Sequence, residues 1–593
     1  MARLALILST ITAVVALLGG ARWAVNEWRL WRRRRLILLL VLMFGLPSWA
    51  AAATYYVDFT GGADANNGTS TATPWKRVKG MTGVTGTAAA ATISGGDTIV
   101  FKGGVTWTAF YPWTLQGGAS SAVTYTTDHS WFTGGAWSQP IFDGEASSPA
   151  TSTGIARITG SWVTINDTKW YRCGVLSSNT ESATCLVFED ATNIAVTNNT
   201  FDGRTWFSIY FLFSSSGTRA NFTVTGNDFT NTTSAVWFAS AAASAVEQNF
   251  VYTGNTIHDF APMLGCSDIA DCPGPDGAHG DGFLHFYTIA HDDATQYLDG
   301  FTFCNNRSYG DFTRGIGTVA PQDMTAMIYV EGAIKNGLIC NNDFNFSPKE
   351  NSTGSPGSIF EAVIDLRDYD NTADGAMYVL NNTIRGSFTT RSGSAAILAS
   401  SGWSNLVVKN NAIEFELACL YGENSAPTGA HNYNNRYCPS PNIQWTGEGA
   451  NSISTDNLFV SAASSALQAT SPNIGAGENL SGLGLSAPQQ TLLDSDFNGV
   501  ARGATWDIGA YEYVSGTGSH LVLVLRQWID ILVPAAGLGW HFRRILTGAV
   551  FACVAWSAST GGMIQDATKT TVRAAAVKVA VAYLDWSKTK ERS

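Results

Sequence analysis

The sequence predicts an all-β chain, a right-handed parallel β-helix whose short strands stack as a solenoid, with an N-terminal signal or membrane segment and a helical C-terminal tail. Three observations predict it. The 593 residues include 60 glycines and only 14% charged residues, yet 45% are hydrophobic, too apolar for disorder and too long for one compact core. A short motif, an apolar run closed by one or two asparagines and then an apolar residue, recurs along the chain. A second apolar run precedes each copy of that motif.

The recurring motif is read first, because internal repeats decide architecture. It runs Val196-Thr197-Asn198-Asn199-Thr200-Phe201, Val224-Thr225-Gly226-Asn227-Asp228-Phe229 and Tyr252-Thr253-Gly254-Asn255-Thr256-Ile257. It returns at Asn305-Asn306, Asn341-Asn342, Asn381-Asn382, Asn410-Asn411, Asn434-Asn435 and Asp456-Asn457. Asparagine tolerates a left-handed backbone at a sharp bend, and its amide can bond to an identical amide one coil away. A repeated Asn before a strand break is therefore a corner ladder. The variable spacing suits loops inserted between coils. The upstream runs are Cys185–Phe188, Phe207–Phe211, Ala235–Phe238, Gly282–Phe286, Ala326–Val330, Ala362–Leu366 and Ala395–Leu398. One coil is then strand, turn, strand, Asn turn. Cys304 and Cys340 hold the same place in the repeat and are expected to face one another across adjacent coils.

The ends read differently. Leu36–Leu46 is an apolar core preceded by Arg32-Arg33-Arg34-Arg35 and followed by Ser48-Trp49-Ala50, the order of a signal peptide. The upstream apolar stretch Leu4–Gly20 is read as lying before the true start, with a short membrane helix as the alternative. Cysteines in close pairs, Cys173/Cys185, Cys266/Cys272 and Cys419/Cys438, point to disulfides and export to the extracellular side or cell surface. After Tyr513, a Ser/Gly linker leads to Ile545–Met563, which is uncharged and long enough to cross a bilayer. An amphipathic hairpin is the competing reading. The division expected is 1–53 targeting segment, 54–160 cap and first coils, 161–470 β-helix, 471–513 closing segment and 514–593 tail. The formal charge of -11 and the absence of a basic stripe argue against nucleic acid as a partner. Oligomeric state is left open.

A family resemblance rests on particular residues. Tyr55-Tyr56-Val57-Asp58, Asn66-Asn67-Gly68-Thr69, Pro74-Trp75-Lys76 and Gly96–Gly104 resemble the opening of right-handed β-helix proteins of the pectate-lyase-like superfamily. Ser471–Gly477 with Asp496, Arg502 and Asp507–Glu512 resembles the closing segment of "choice-of-anchor" β-helix proteins. The resemblance implies the fold and a polysaccharide partner. It leaves the activity open among lyases, hydrolases, epimerases and surface proteins.

Strand alternation nominates the site. With Leu284 and Phe286 inward, Asp281, Phe283, His285 and Tyr287 face out, and His279 shares that parity. One coil on, Ala326, Ile328 and Val330 point in while Met327, Tyr329 and Glu331 point out. The next coil sends Ala362, Ile364 and Leu366 in, with Val363, Asp365 and Arg367 out. Trp237 lands beside them, and Trp206 and Tyr210 lie a coil earlier. This is a titratable centre with aromatic platforms, on which a sugar chain would cross successive coils. The candidate catalytic residues are His285, Asp281, His279, Glu331, Asp365 and Arg367. Trp206, Tyr210, Trp237, Tyr329 and Arg314 are candidates for substrate binding.

Two chemistries fit. A lyase needs a base, from His285 or His279, and a cation for the uronate carboxylate, from Arg367 or a calcium held by Asp281, Glu331 and Asp365. Arginine as the base would follow the resemblance alone. A hydrolase needs two carboxylates about 5 Å or about 6.5–9.5 Å apart, and Asp281, Glu331 and Asp365 supply candidates. The competing readings are a non-catalytic glycan-binding adhesin and a phage-type spike. Asp365, Asp368, Asp370 and Asp374 form a second calcium option, against a solvated loop. Asp494–Gly499 mimics a calcium loop but has Thr505 where a bidentate Glu is expected, so it is assigned to the closing segment.

Overall fold

Each asparagine corner divides its work between two neighbouring residues. The first adopts the left-handed backbone, with φ of 56° at Asn198, 58° at Asn305, 51° at Asn341, 53° at Asn381 and 58° at Asn410. Gly226 and Gly254 take that place in two coils, at φ 68° and 63°, where a missing Cβ removes the steric cost. The second residue turns inward and forms the ladder. The Nδ2 of Asn199 donates to Asn227 Oδ1, that of Asn227 to Asn255 and that of Asn255 to Asn306, at 3.1, 3.0 and 3.1 Å. The series continues through Asn342, Asn382, Asn411 and Asn434 at 3.0, 2.8, 3.0 and 3.0 Å. Each Oδ1 also accepts the backbone N–H of the preceding ladder residue, as Asn306 does from Asn255 at 2.9 Å. Buried amides are thereby satisfied in both directions, which is what their burial demands.

The structure is a computed structural model and describes residues 52–145, 154–173, 184–240, 242, 244–259, 280–288, 296–310, 324–346, 359–367, 376–386, 395–400, 403, 405–415, 418–423, 430–445 and 448–514. Within these, all strand pairs of the coils are parallel, in one sheet of 13 strands and one of 20. This is the all-β, right-handed parallel β-helix that the sequence predicts. The coil holds three strands, not the two expected. The first face carries the strands that enter each Asn corner, such as Ala245–Thr253, Tyr297–Cys304 and Gly337–Cys340. The second face carries short strands after the corner, Thr256–His258, Arg307–Tyr309 and Asp343–Asn345. The third carries Thr184–Glu189, Gly280–Thr288, Met324–Glu331, Ile359–Arg367 and Ala395–Ser400. Two long strands, Thr200–Phe213 and Asp228–Ser240, run through the second and third faces without a break, with a register shift between Asp202 and Thr205. Ile257 and Phe344, after their asparagines, are thus the inward members of strands too short to show alternation.

The interior is a stack of like on like. Phe188, Phe211, Phe238 and Phe286 follow one another on the third face, each fully buried. Phe201 and Phe229 stack at 5.0 Å, as do Tyr252 and Phe303 at 4.8 Å. Burying each such ring contributes roughly 2–3 kcal/mol by transfer. A fully buried Glu247 on the first face interrupts this apolar series. Burial pushes its carboxyl up to about 7, against the pull of the Ser240 hydroxyl and the Arg219 guanidinium. The folded chain therefore holds this proton more tightly than the unfolded one. Stability falls as pH rises from about 4.5 to about 7 and levels above. Denaturation at pH 5 and pH 8 should show Glu247→Gln flattening this window, a gain near pH 8 of the order of 3 kcal/mol.

Residues 459–513 do not stack on the last coil alone. They fold back over the outer sides of the first and second faces. Leu480, Leu493 and Trp506 bury Leu338, Leu380 and the Cys304–Cys340 pair. Ile508, Phe459 and Leu467 pack with Ala412. Asn341 donates to the carbonyls of Leu492 and Ser495, and Tyr511 donates its hydroxyl to Asp343 at 2.6 Å. Asp496, the calcium-loop look-alike, accepts the backbone N–H groups of Val500 and Glu512 and so closes a turn.

Disulfides join Cys173–Cys185, Cys419–Cys438 and Cys304–Cys340, as expected from spacing and repeat position. Cys266 and Cys272 lie outside the described residues. The Cys304–Cys340 bond links register partners on adjacent coils with Cα atoms 4.5 Å apart. Replacing both by serine should lower unfolding free energy by about 3 kcal/mol, measured by denaturant titration. No described helix is long and apolar enough to cross a membrane. The N-terminal segment to Ala51 and Ile545–Met563 lie outside the described residues.

Candidate functional site

From Val236, Leu284, Ile328 and Ile364 onward, the third-face strands keep one register across neighbouring coils. Trp237 pairs with His285, His285 with Tyr329 and Tyr329 with Asp365. Two residues further along each strand, Tyr287 pairs with Glu331 and Glu331 with Arg367. Beneath them Leu284, Ile328 and Ile364 align and are fully buried. Side chains more than a hundred positions apart in sequence therefore share one wall, because parallel coils repeat about every 4.8 Å.

Alternation fails at the start of these strands. Phe283, Met327 and Val363, expected to face out, belong to the main core cluster with Leu284, Ile328 and Ile364. The chain turns from the second face to the third there, and two consecutive side chains point inward at the bend. Ala326 and Ala362 are buried but lie outside that cluster. A further register shift separates Asp281 from Leu284, and Asp281 pairs with Ala326, so the parity of His285 does not fix its direction.

Four nominated side chains form a connected centre. The Tyr329 hydroxyl donates to Glu331 Oε1 at 2.7 Å. Arg367 Nε lies 3.2 and 3.3 Å from the two carboxylate oxygens of Asp365. The Arg367 guanidinium sits 5.6 Å from the Tyr329 ring centroid, within cation–π range. Asp365 is fully buried although it stands in the outer column, and Tyr329 is only 5% exposed. Desolvation, followed by the neighbouring Glu331 and Asp365, holds the Tyr329 phenol well above its ordinary range. The buried ion pair positions Arg367, while Glu331 is half-buried and hydrogen-bonded at the end of its strand.

Toward the N-terminal coils the wall becomes apolar. Tyr210 and Trp237 stack at 4.7 Å with planes 9° apart, and Phe207 lies 4.3 Å from Trp237. Val187, Leu212 and Ala239 complete the cluster. Tyr210 is 8% exposed, and its stacking against Trp237 makes it a support for the half-buried Trp237. Trp206 and His285 lie on described strands, but their side chains, like that of Asp281, lie outside the described residues. His279 and Arg314 lie outside them altogether, as do Asp368, Asp370 and Asp374.

Sequence reasoning missed both ends of the wall. Arg157 and Glu189, on neighbouring third-face strands, form an ion pair. Val187, the register partner of Arg157, continues the column to Tyr210. Leu398 and Tyr421 extend it beyond Asp365. The alternation in Ala156-Arg157-Ile158 and Phe188-Glu189 was the available signal. For calcium, no group of three or more His, Cys, Asp or Glu able to hold a metal occurs among the described residues. Asp365 is paired with Arg367, and Glu331 accepts from the Tyr329 hydroxyl through Oε1.

No family model matches the chain, and no curated protein does. Among solved structures, the chain is similar to pectate lyase Pel9A at 15% identity, over 79% of this chain and 98% of that one, with a TM-score of 0.37. It is similar to a rhamnogalacturonan lyase at 11% identity, covering 69% and 91% with a TM-score of 0.29. A GH136 lacto-N-biosidase from Eubacterium ramulus gives 12% identity, 68% of each chain and a TM-score of 0.27. The fold assignment rests on the strand register described above.

Proposed function

We propose that the chain is an exported carbohydrate-active protein that cleaves a polysaccharide laid across the coils of the third face. The observation that carries this reading is the continuous column from Trp237 through His285 and Tyr329 to Asp365, flanked by Glu331 and Arg367. An aromatic side chain beside a polar, partly desolvated centre is the arrangement that holds a sugar ring and acts on the bond next to it. Glu331 and His285 are the proposed proton-transfer groups, with Asp365 and Arg367 positioning Tyr329. The three disulfides among the described residues support export, and the targeting segment to residue 53 and the tail from 514 are proposed to direct and anchor it.

The test is the purified chain incubated with a panel of polysaccharides, following new reducing ends and the ultraviolet absorbance of unsaturated sugars. The reading expects cleavage of at least one polymer, and Trp237→Ala should weaken binding of that polymer about ten-fold, consistent with loss of roughly 1–2 kcal/mol of ring contact. Binding without cleavage would favour the adhesin reading, and neither would reject both.

A further inference from the structure

The first coils carry an aromatic patch that belongs neither to the apolar interior nor to the third face. The strand Val123–Phe132 is ten residues long, where its partner in the next coil, Val163–Asn166, has four. Phe101 pairs with Thr127 and Gly103 with Phe132, so Asp128–Trp131 stand opposite Lys102 alone and the strand bulges. Tyr56 and Trp131 meet edge to face at 5.4 Å, and the Lys102 ammonium lies 5.8 Å from the Trp131 ring centroid. His129 stacks on Trp137 at 3.8 Å with planes 27° apart. Gly103 lies between these pairs, because a Cβ there would come 3.0 Å from Phe132 Cβ and 3.1 Å from Trp137 Nε1. Tyr56, Trp131, Phe132 and Trp137 are half-buried, and none joins an apolar core cluster.

Polar groups sit at the edge of these rings. His129 Nε2 lies 2.5 Å from Asp167 Oδ2, and the Gln139 amide donates to Asp167 Oδ1 and to the Asn198 carbonyl, each at 3.1 Å. The bulge and the turn after it are thereby tied to the corners of the next two coils, which sets their shape before a ligand arrives. The His129 side chain is 46% exposed and that of Asp167 17%, so imidazole and carboxylate both reach solvent. A lone surface aromatic needs no explanation, but a contiguous set marks an interaction site. A sugar ring offers apolar C–H faces and a rim of hydroxyls. Aromatic rings answer the faces, and a carboxylate, an amide and an imidazole beside them answer the rim. That polar rim favours a polyhydroxylated partner over an apolar protein surface. We infer that Tyr56, Trp131, Trp137, His129, Asp167 and Gln139 form a second glycan-binding site, which anchors polysaccharide on the N-terminal coils away from the third face. The inference stands whether or not the third face cleaves.

The experiment measures depletion of the purified chain by cellulose, chitin, galactan and polygalacturonate, and follows cleavage of each polymer and of its short fragments. Trp131→Leu and Trp137→Leu should each weaken binding of the preferred polymer by about ten-fold. Cleavage of short fragments should stay within about two-fold, as expected for a distant site. Tyr56→Leu and Asp167→Asn carry the same expectation for binding if circular dichroism shows that a tryptophan variant has not folded. Unchanged polymer affinity in folded variants would overturn the inference and leave the third-face reading standing. Patch-dependent binding without cleavage of any polymer would support the inference and remove the cleavage reading. A change in self-association in these variants, with glycan affinity unchanged, would make the patch a contact between copies and overturn the inference. A wild-type chain that binds no polysaccharide would overturn both.

Discussion

Asn306→Ala should destabilise the fold by about 3 kcal/mol or more, the largest loss expected from any single polar substitution in the chain. The Asn306 amide receives the backbone N–H and the Nδ2 of Asn255, and donates to the carbonyl of Tyr252 and to Asn342 Oδ1. Removing it takes a hydrogen bond from four buried groups at once, leaving the Asn255 backbone N–H without its acceptor, while Asn255 Nδ2 keeps the Val224 carbonyl and Asn342 Oδ1 keeps the backbone N–H of residue 306. Each abandoned buried partner costs about 1–3 kcal/mol, with incomplete addition. Denaturant titration measures the loss. Asn306→Asp is the control for size, since it keeps the acceptor and loses the donor. A loss below about 1 kcal/mol would show that the corner is held by the backbone and the ladder is incidental.

Glu331→Gln carries the second large effect. If Glu331 transfers a proton to or from the sugar, its amide should lower cleavage by about a thousand-fold, the range of general acid–base catalysis. Glutamine has nearly the same shape and can still accept from the Tyr329 hydroxyl, so stability should stay within about 0.5 kcal/mol and glycan binding should persist. A variant that binds and still cleaves at an undiminished rate removes Glu331 from the chemistry. The comparison with His285→Ala then assigns the step, since loss in that variant alone would place proton transfer one coil away.

How much of this was legible before the structure depends on the length of each strand. The Asn ladder and the third-face register were readable because asparagine has few roles in a buried corner, and because strands such as Met324–Glu331 are long enough to alternate. The second face was not, since Arg307–Tyr309 and Asp343–Asn345 have three residues each and present one inward side chain apiece. Phe283, Met327 and Val363 were misplaced for a related reason. A bend that turns two successive side chains inward breaks period-two logic locally, and hydrophobic residues on both sides of Ile328 and Ile364 were the only hint. The folding back of residues 459–513 was also hidden. Its contacts join Asp343 to Tyr511 and Asn341 to Ser495, separations that no repeat encodes. The ion pair of Arg367 and Asp365 could be placed by parity, but the burial of Asp365 could not, because alternation says which side a residue takes and not what covers it.

The account depends on one vertical column in which His285, Tyr329 and Asp365 occupy successive coils. Disulfide trapping tests it directly. Cysteine pairs at 285 and 329, and at 329 and 365, should cross-link in the folded chain, as the natural register pair Cys304–Cys340 does with Cα atoms 4.5 Å apart. A pair at 285 and 365 spans two coils, about 9–10 Å, beyond the reach of a disulfide, and should stay reduced. Peptide mass analysis of the oxidised variants gives the answer. Cross-linking of both adjacent pairs with none in the third is the predicted result, and cross-linking of 285 to 365 with failure of 285 to 329 would contradict it.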